Sequence, residues 1–183
     1  MKQLKCLFAI LSAFFIAGAV HAQAPVTVGG APMYPTENII ENAMNSKDHT
    51  TLVAAVKAAG LVETLETAGP FTVFAPTNEA FNLLPAGTVE NLLKPENKAL
   101  LTSILTYHVI AGKWDAKTLA SKIKDGMGKA QLKTVQGGLV WAMMKGGKII
   151  LKDEKGNMAT VTIPDVYQSN GVIFVIDHVL MPQ

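Results

Sequence analysis

Arginine is missing from this chain: all sixteen basic residues are lysine. Nucleic-acid binders usually show a basic excess and use the bidentate guanidinium fork. With Lys2 and Lys5 set aside, fourteen lysines face fourteen acids, a balance that argues against a nucleic-acid partner. Cysteine is nearly missing too, since the single one, Cys6, lies in the N-terminal run MKQLKCLFAILSAFFIAGAVHAQA. In that run Lys2 and Lys5 form a positive start, Leu7 to Val20 an apolar stretch, and the small residues around Ala22 a peptidase site. Residues 1–22 are therefore expected to be a cleaved secretory leader, and Cys6 leaves with it. What remains holds no disulfide and no thiolate metal site, although its compartment would permit disulfides. No second apolar run approaches the roughly 20 residues that cross a bilayer, so no membrane span is expected after cleavage. About 160 residues are left, enough for one domain with its own core.

What is present changes character midway. Residues 23–35, containing APVTVGGAPMYP, are rich in Pro, Gly and small side chains and read as a flexible linker. From Thr36 the period is helical. Ile39, Ile40 and Ala43 recur in TENIIENAMNS, with Thr36 as a cap, and Leu52, Val56 and Ala59 in DHTTLVAAVKAAG, with Asp48 to start and Gly60 to stop. LVETLETA is a short third helix. FTVFAP is apolar on both faces, the pattern of a strand covered on both sides. NEAFNLL, TVENLL and PENKALLTSILTYH read as further helices, followed by AKTLASKIKDG. Then the period becomes that of strands: QLKTV, LVWAMM, KIILKD, ATVTIPD and GVIFVID, punctuated by glycine turns. Helices first and strands later predict an α+β fold with a mainly antiparallel sheet, as one domain over 36–182.

Three segments resemble a known family. GPFTVFAPTNEAFNLLP at 69–85 resembles the first signature of fasciclin domains. Leu105-Thr106-Tyr107-His108-Val109 resembles the family's Tyr-His segment, with Gly112 close behind, and Asn170 to Pro182 resembles its closing signature. The resemblance implies a single α+β domain, a sheet wedge wrapped by helices. It also implies an extracytoplasmic adhesion or interaction module with no catalytic reaction common to the family. One departure stands out: Phe174 occupies the place of the signature's usual His, and is expected to fill apolar volume near Tyr107.

Each polar signature residue has a structural and a functional reading. Pro76 lacks an N–H and ends a ladder, Thr77 or Asn78 can cap the next helix, Glu79 favours its dipole, and Phe81 and Leu84 anchor it. Scaffold accounts for all of them, and Asn170, Gly171, Asp177 and Pro182 are carried over from the closing signature in the same role. Tyr107 and His108 have two readings: an adhesive contact, implied by the resemblance to integrin-binding animal relatives, or a buried aromatic and a hydrogen-bonded His. The apolar surroundings favour the second. IPDVY at 163–167 falls where some animal members carry Glu-Pro-Asp-Ile-Met, an integrin-binding pentapeptide. Pro164 and Asp165 match, whereas Ile163 and Tyr167 depart, so an integrin fits poorly but another partner stays open.

A hydrolase triad drawn from Ser103, His108 and Asp177 lacks the G-x-S-x-G elbow, and no catalytic residue is assigned. The methionines are scattered, and adjacent Met143 and Met144 would point to opposite faces of a strand, so no metal or cofactor is expected. Charge is polarised along the chain. Residues 113–155 hold ten lysines and four acids, against four and eight over 23–112. Lys122, Lys124 and Lys133 are candidates for contact with an anionic partner, and the alternative is a solvated face that guards a sheet edge. The function expected is an exported, non-enzymatic adhesion or interaction module, periplasmic or at the cell surface. It would bind protein or anionic polysaccharide as a monomer or weakly self-associating species. The runner-up is a carrier for a hydrophobic small molecule near Trp141.

Overall fold

The computed structural model of the chain describes residues 23–67 and 69–183, so the expected leader over 1–22 lies outside the described residues. The first element corrects an expectation. Residues 23–35 contain a two-stranded hairpin, β1 (Val26–Val28) paired with β2 (Ala31–Met33), rather than a flexible linker. Gly29 and Gly30 have φ of 60° and 77°, the positive values that a tight two-residue hairpin turn demands. A Cβ on Gly29 would strike Ser46 and the backbone of Asp48, so the turn also needs glycine for close approach. Val28 and Met33 are each 1% exposed. The glycine pair is turn chemistry, and the apolar residues beside it belong to the core.

The helical block follows as α1 (Ile39–Asn45), α2 (Thr50–Ala59) and α3 (Val62–Glu66). Asn38, not Thr36, caps α1: its side chain accepts from the N–H groups of Ile40 and Glu41 at 2.9 Å, while the Glu41 carboxylate accepts from Asn38 N at 2.7 Å. This reciprocal box satisfies orphan donors at the helix start. Asp48 does not cap α2, because it sits in a 3-10 turn over Lys47–His49.

Strand β3 (Phe71–Pro76) leads into α4 (Asn78–Asn82), α5 (Thr88–Leu92) and α6 (Lys98–Tyr107), and β4 (Val109–Ala111) returns beside β3. Helix α7 (Ala116–Asp125) precedes the strands β5 (Lys129–Lys133), β6 (Leu139–Lys145), β7 (Lys148–Lys152), β8 (Met158–Gln168) and β9 (Gly171–Ile176). The seven-stranded sheet runs β4-β3-β9-β8-β7-β6-β5, antiparallel throughout except for the parallel pair β3 and β9. Its ends curl toward each other: Val135 N donates to Val109 O at 2.8 Å, and Ile110 bridges to Thr134. Curling of this kind shields edge strands that would otherwise template aggregation.

Two cores lie on the two faces of this sheet. On the inner face Phe74, Val172, Phe174 and Ile176 join Leu132, Val140 and Leu151, and α7 adds Leu119 and Ile123. On the outer face Val73 and Ala75 of β3 and Ile173 and Val175 of β9 pack under α1, α2 and α6. Alternate residues of β3 and β9 thus feed both cores, as expected for strands apolar on both faces. Each buried Val, Ile or Phe among them contributes about 1.5–3 kcal/mol by leaving water. The fold is α+β, with a sheet wedge wrapped by helices.

Candidate binding surface

The polar residues of the first signature are absorbed by the scaffold. Thr77 caps α4 by accepting from Ala80 N at 3.2 Å. Asn78 reaches a different helix: its Oδ1 accepts from Thr51 N at 3.0 Å and its Nδ2 donates to Lys47 O at 2.8 Å, so it caps α2 from outside. Pro76 closes β3 opposite Ile176, and Phe81 is 6% exposed in the outer core. Asn78 and Glu79 share a small polar cleft with Asp48 and Thr77, and His108 is not part of it.

The closing signature behaves alike. Asn170 Nδ2 donates to Leu65 O at 2.7 Å and to Thr67 O at 3.0 Å, while its Oδ1 accepts from Ile39 N at 3.1 Å. One side chain therefore ties β9 to both α1 and α3. A Cβ on Gly171 would overlap the carbonyl of Phe71, so only glycine lets β9 approach β3. Asp177 accepts from Thr160 N at 2.6 Å, and Pro182 is buried.

Tyr107 and His108 are corrected as contact residues, because they are 0% and 3% exposed. The Tyr107 hydroxyl donates to Leu139 O at 2.6 Å and accepts from Glu154 N at 3.1 Å; burial pushes the phenol up to about 12. His108 Nε2 accepts from Leu180 N at 3.0 Å, which leaves Nδ1 to donate to Ile104 O at 2.8 Å. Both nitrogens are committed to one neutral tautomer, and burial lowers the imidazole to about 4. His108 therefore cannot serve Ser103, and the paper triad does not assemble. Phe174 is fully buried, its ring 5.9 Å from that of Phe74 in the core that holds Tyr107.

Pro164 and Asp165 fall within β8, at a register irregularity, not in a free loop. Asp165 adopts φ 56°, a left-handed value that Asp tolerates better than most residues. Its carboxylate accepts from Ala116 N at 2.7 Å at the start of α7, where Asp115 also caps by accepting from Thr118 N. Burial raises the Asp165 carboxyl. The acid is thus occupied with a helix terminus, and only Pro164 is exposed.

The lysines form two sets. Lys122 and Lys124 ride on α7, which covers the inner face, and the Lys122 ammonium lies 4.8 Å from the Trp114 ring. Lys133 points the other way. Along β5 the buried residues are Ala130 and Leu132, while Lys129, Gln131 and Lys133 are exposed on the outer face. The pairing continues that face across β6 and β7: Lys129 opposes Met143, Gln131 opposes Trp141, Trp141 opposes Lys152 and Met143 opposes Ile150. The Lys129 ammonium sits 5.0 Å from the Trp141 ring. This is the continuation of the outer surface that helices cover over β3 and β9. Among the described residues no helix covers it here, and no lysine of the chain forms an ion pair. Lys129 and Lys152 were not singled out as contacts in the sequence, and Trp141 only as the neighbourhood of a carrier's ligand. The signal was the alternation in KAQLK and the lysines at both ends of KIILK.

No helix among the described residues is long and apolar enough to cross a membrane. A profile described as the Fasciclin domain matches residues 47–182. Protein sll1483 of Synechocystis is 51% identical over 144 residues, covering 79% of this chain and 73% of that one. The cell surface glycolipoprotein MPB83 of Mycobacterium bovis is 36% identical over 166 residues, covering 88% of this chain and 68% of that one. A solved FAS1 domain pair from the insect cell adhesion molecule Fasciclin I superposes with a TM-score of 0.71 at 19% identity. That match covers 87% of this chain and 58% of the pair, and is a likeness of fold.

Proposed function

The chain belongs to the fasciclin-domain family, and we propose that it is an exported, non-enzymatic adhesion or interaction module that binds protein or anionic polysaccharide at or beyond the cell envelope. The observation that carries this reading is a division of labour. The recognisable polar side chains end on backbone groups inside the fold, whereas the lysines of 113–155 end on solvent or on aromatic rings. Scaffold residues leave recognition to the surface, and the surface offers cations. A cell-surface relative and an adhesion molecule of the same fold support the compartment and the class. The test is recovery of partners from native envelope on immobilised protein, at low and at high salt. A saturable partner released by salt is expected, since screening weakens exposed charge contacts; failure to recover any envelope component at low salt would end the reading.

A carrier of a hydrophobic small molecule remains the second reading, because an open groove of about 380 Å³ runs between α7 and strands β6 to β8, lined by Ala116, Ala120, Met144, Ile149, Val161 and Pro164. Trp141 is not part of it. The apolar void among α1, α2, α3 and α6 is only about 30 Å³, room for little more than water-sized occupants. A ligand released on denaturing the purified protein, detected by mass spectrometry, would favour the carrier.

A further inference from the structure

We infer that the bare outer face of β5, β6 and β7, centred on Trp141, is the binding site for a linear acidic polysaccharide. The inference rests on the interaction-module reading and gives it an address and a ligand. On this face Trp141, Met143 and Ile150 are half-buried, while Lys129, Lys133 and Lys152 stand around them. No acidic residue occupies an outward position on the three strands. Lys145 and Lys148 add two further cations at the hairpin end.

The shape selects an extended ligand. Strands lie about 4.8 Å apart, and alternate residues on one strand about 6.8 Å apart, so Lys129 and Lys133 are separated by roughly 13 Å along β5. Small molecules take concave pockets instead. The chemistry selects a polymer with both rings and carboxylates. An indole offers a flat apolar platform for the C–H face of a sugar ring, and the Lys129 ammonium already rests over that indole, so platform and cation act at one place. The other lysines lack any carboxylate partner in the described structure, and a uronate chain would supply it.

Other polyanions fit less well. Nucleic acid is recognised through arginine forks, and the chain has none. A lipid surface calls for apolar groups buried about 5–10 Å deep, whereas the apolar residues here are already half-buried among their neighbours and ringed by lysines. A second copy would have to present acids on one flat face, but Glu63 and Glu66 on α3, Glu90 on α5 and Glu96 in the 3-10 turn Pro95–Asn97 are spread over three short elements of the helical half.

The probe is polygalacturonate, with its fully methyl-esterified form as the uncharged control, titrated against the full chain carrying Trp114→Phe so that fluorescence reports Trp141 alone. The expected result is a saturable change with polygalacturonate, weakened by salt and absent with the ester. Lys129→Glu, Lys133→Glu and Lys152→Glu together should weaken binding about a hundredfold, and Trp141→Ala, read by calorimetry, about tenfold. Lys122→Glu with Lys124→Glu, on the opposite side, should leave it unchanged. Circular dichroism and the thermal midpoint establish that every variant folds. Equal binding of the ester, loss of binding through the α7 pair instead, binding to phosphatidylglycerol vesicles but not to the polymer, or salt-sensitive dimerisation in place of polymer binding each overturns the inference. In all four cases envelope recovery on immobilised protein still decides the broader reading on its own.

Discussion

The outer surface of the sheet has two halves, one covered and one bare, and they use their residues in opposite ways. Over β3 and β9 the outward positions are Val73, Ala75, Ile173 and Val175, all buried beneath helices. Over β5 to β7 lysines share the outward positions with Gln131 and the half-buried Leu139, Trp141, Met143 and Ile150, with no helix above them. In the covered half buried polar side chains are few and nearly all hydrogen-bonded, as low dielectric surroundings require, the exceptions being Glu37 Oε2 and His49 Nε2. In the bare half water solvates the ammonium groups, and no internal partner is needed. A polar residue in this protein is therefore either a beam or a contact, and the cover above its strand decides which.

The comparison breaks most visibly at its strongest beam. Asn170→Ala strands Leu65 O, Thr67 O and Ile39 N where α1, α3 and β9 meet. At about 1–3 kcal/mol for each unsatisfied buried group, a loss of roughly 4 kcal/mol in urea unfolding is expected. A loss below about 1 kcal/mol, the net value of one ordinary hydrogen bond, would mean that water replaces the side chain and that the junction is open.

Acid probes the same side through His108. The unfolded imidazole protonates at its ordinary value near 6.5, whereas the buried one resists until about 4. Between these values the unfolded state binds more protons, so stability is complete above about pH 6.5 and falls as pH drops toward 4. The expected loss is on the order of 3 kcal/mol, followed by urea midpoints from pH 7.5 down to 4. His49, lowered by burial beside Ser46, acts in the same direction. A flat profile would mean that water reaches His108, and the contact role would return.

The smallest effect belongs to the bare half. Lys133→Glu and Lys152→Glu should each change stability by less than about 0.5 kcal/mol, by the same unfolding measurement. A penalty well above that would make these lysines beams too, and the distinction between the halves would dissolve.

Much of this was legible along the chain. FTVFAP and GVIFVI are almost wholly apolar, and both proved covered on two faces; KAQLK alternates and KIILK begins and ends in lysine, and both proved bare on one. The three signature segments led to the fold because glycine, proline and capping residues act locally. Other features were not legible. APVTVGGAPMYP has the composition of a linker, yet Val28 and Met33 find a core that only the helical block supplies. Asn78 looked like a cap for its own helix, but α2 lies close enough to claim it. The pairing of Asp165 with the start of α7 spans 49 residues, and no local pattern announces it.

By itself the sequence determined most of the element types, the polarisation of charge, the absence of arginine and the confinement of cysteine to position 6, because those follow from side-chain identity and short-range period. Only the tertiary structure decided which lysines share a face. Lys122 and Lys133 are eleven positions apart in a single basic stretch, yet α7 turns one toward the inner side and β5 turns the other outward. Register and helix cover are long-range consequences of burying two cores at once, and no count of charges along a chain contains them.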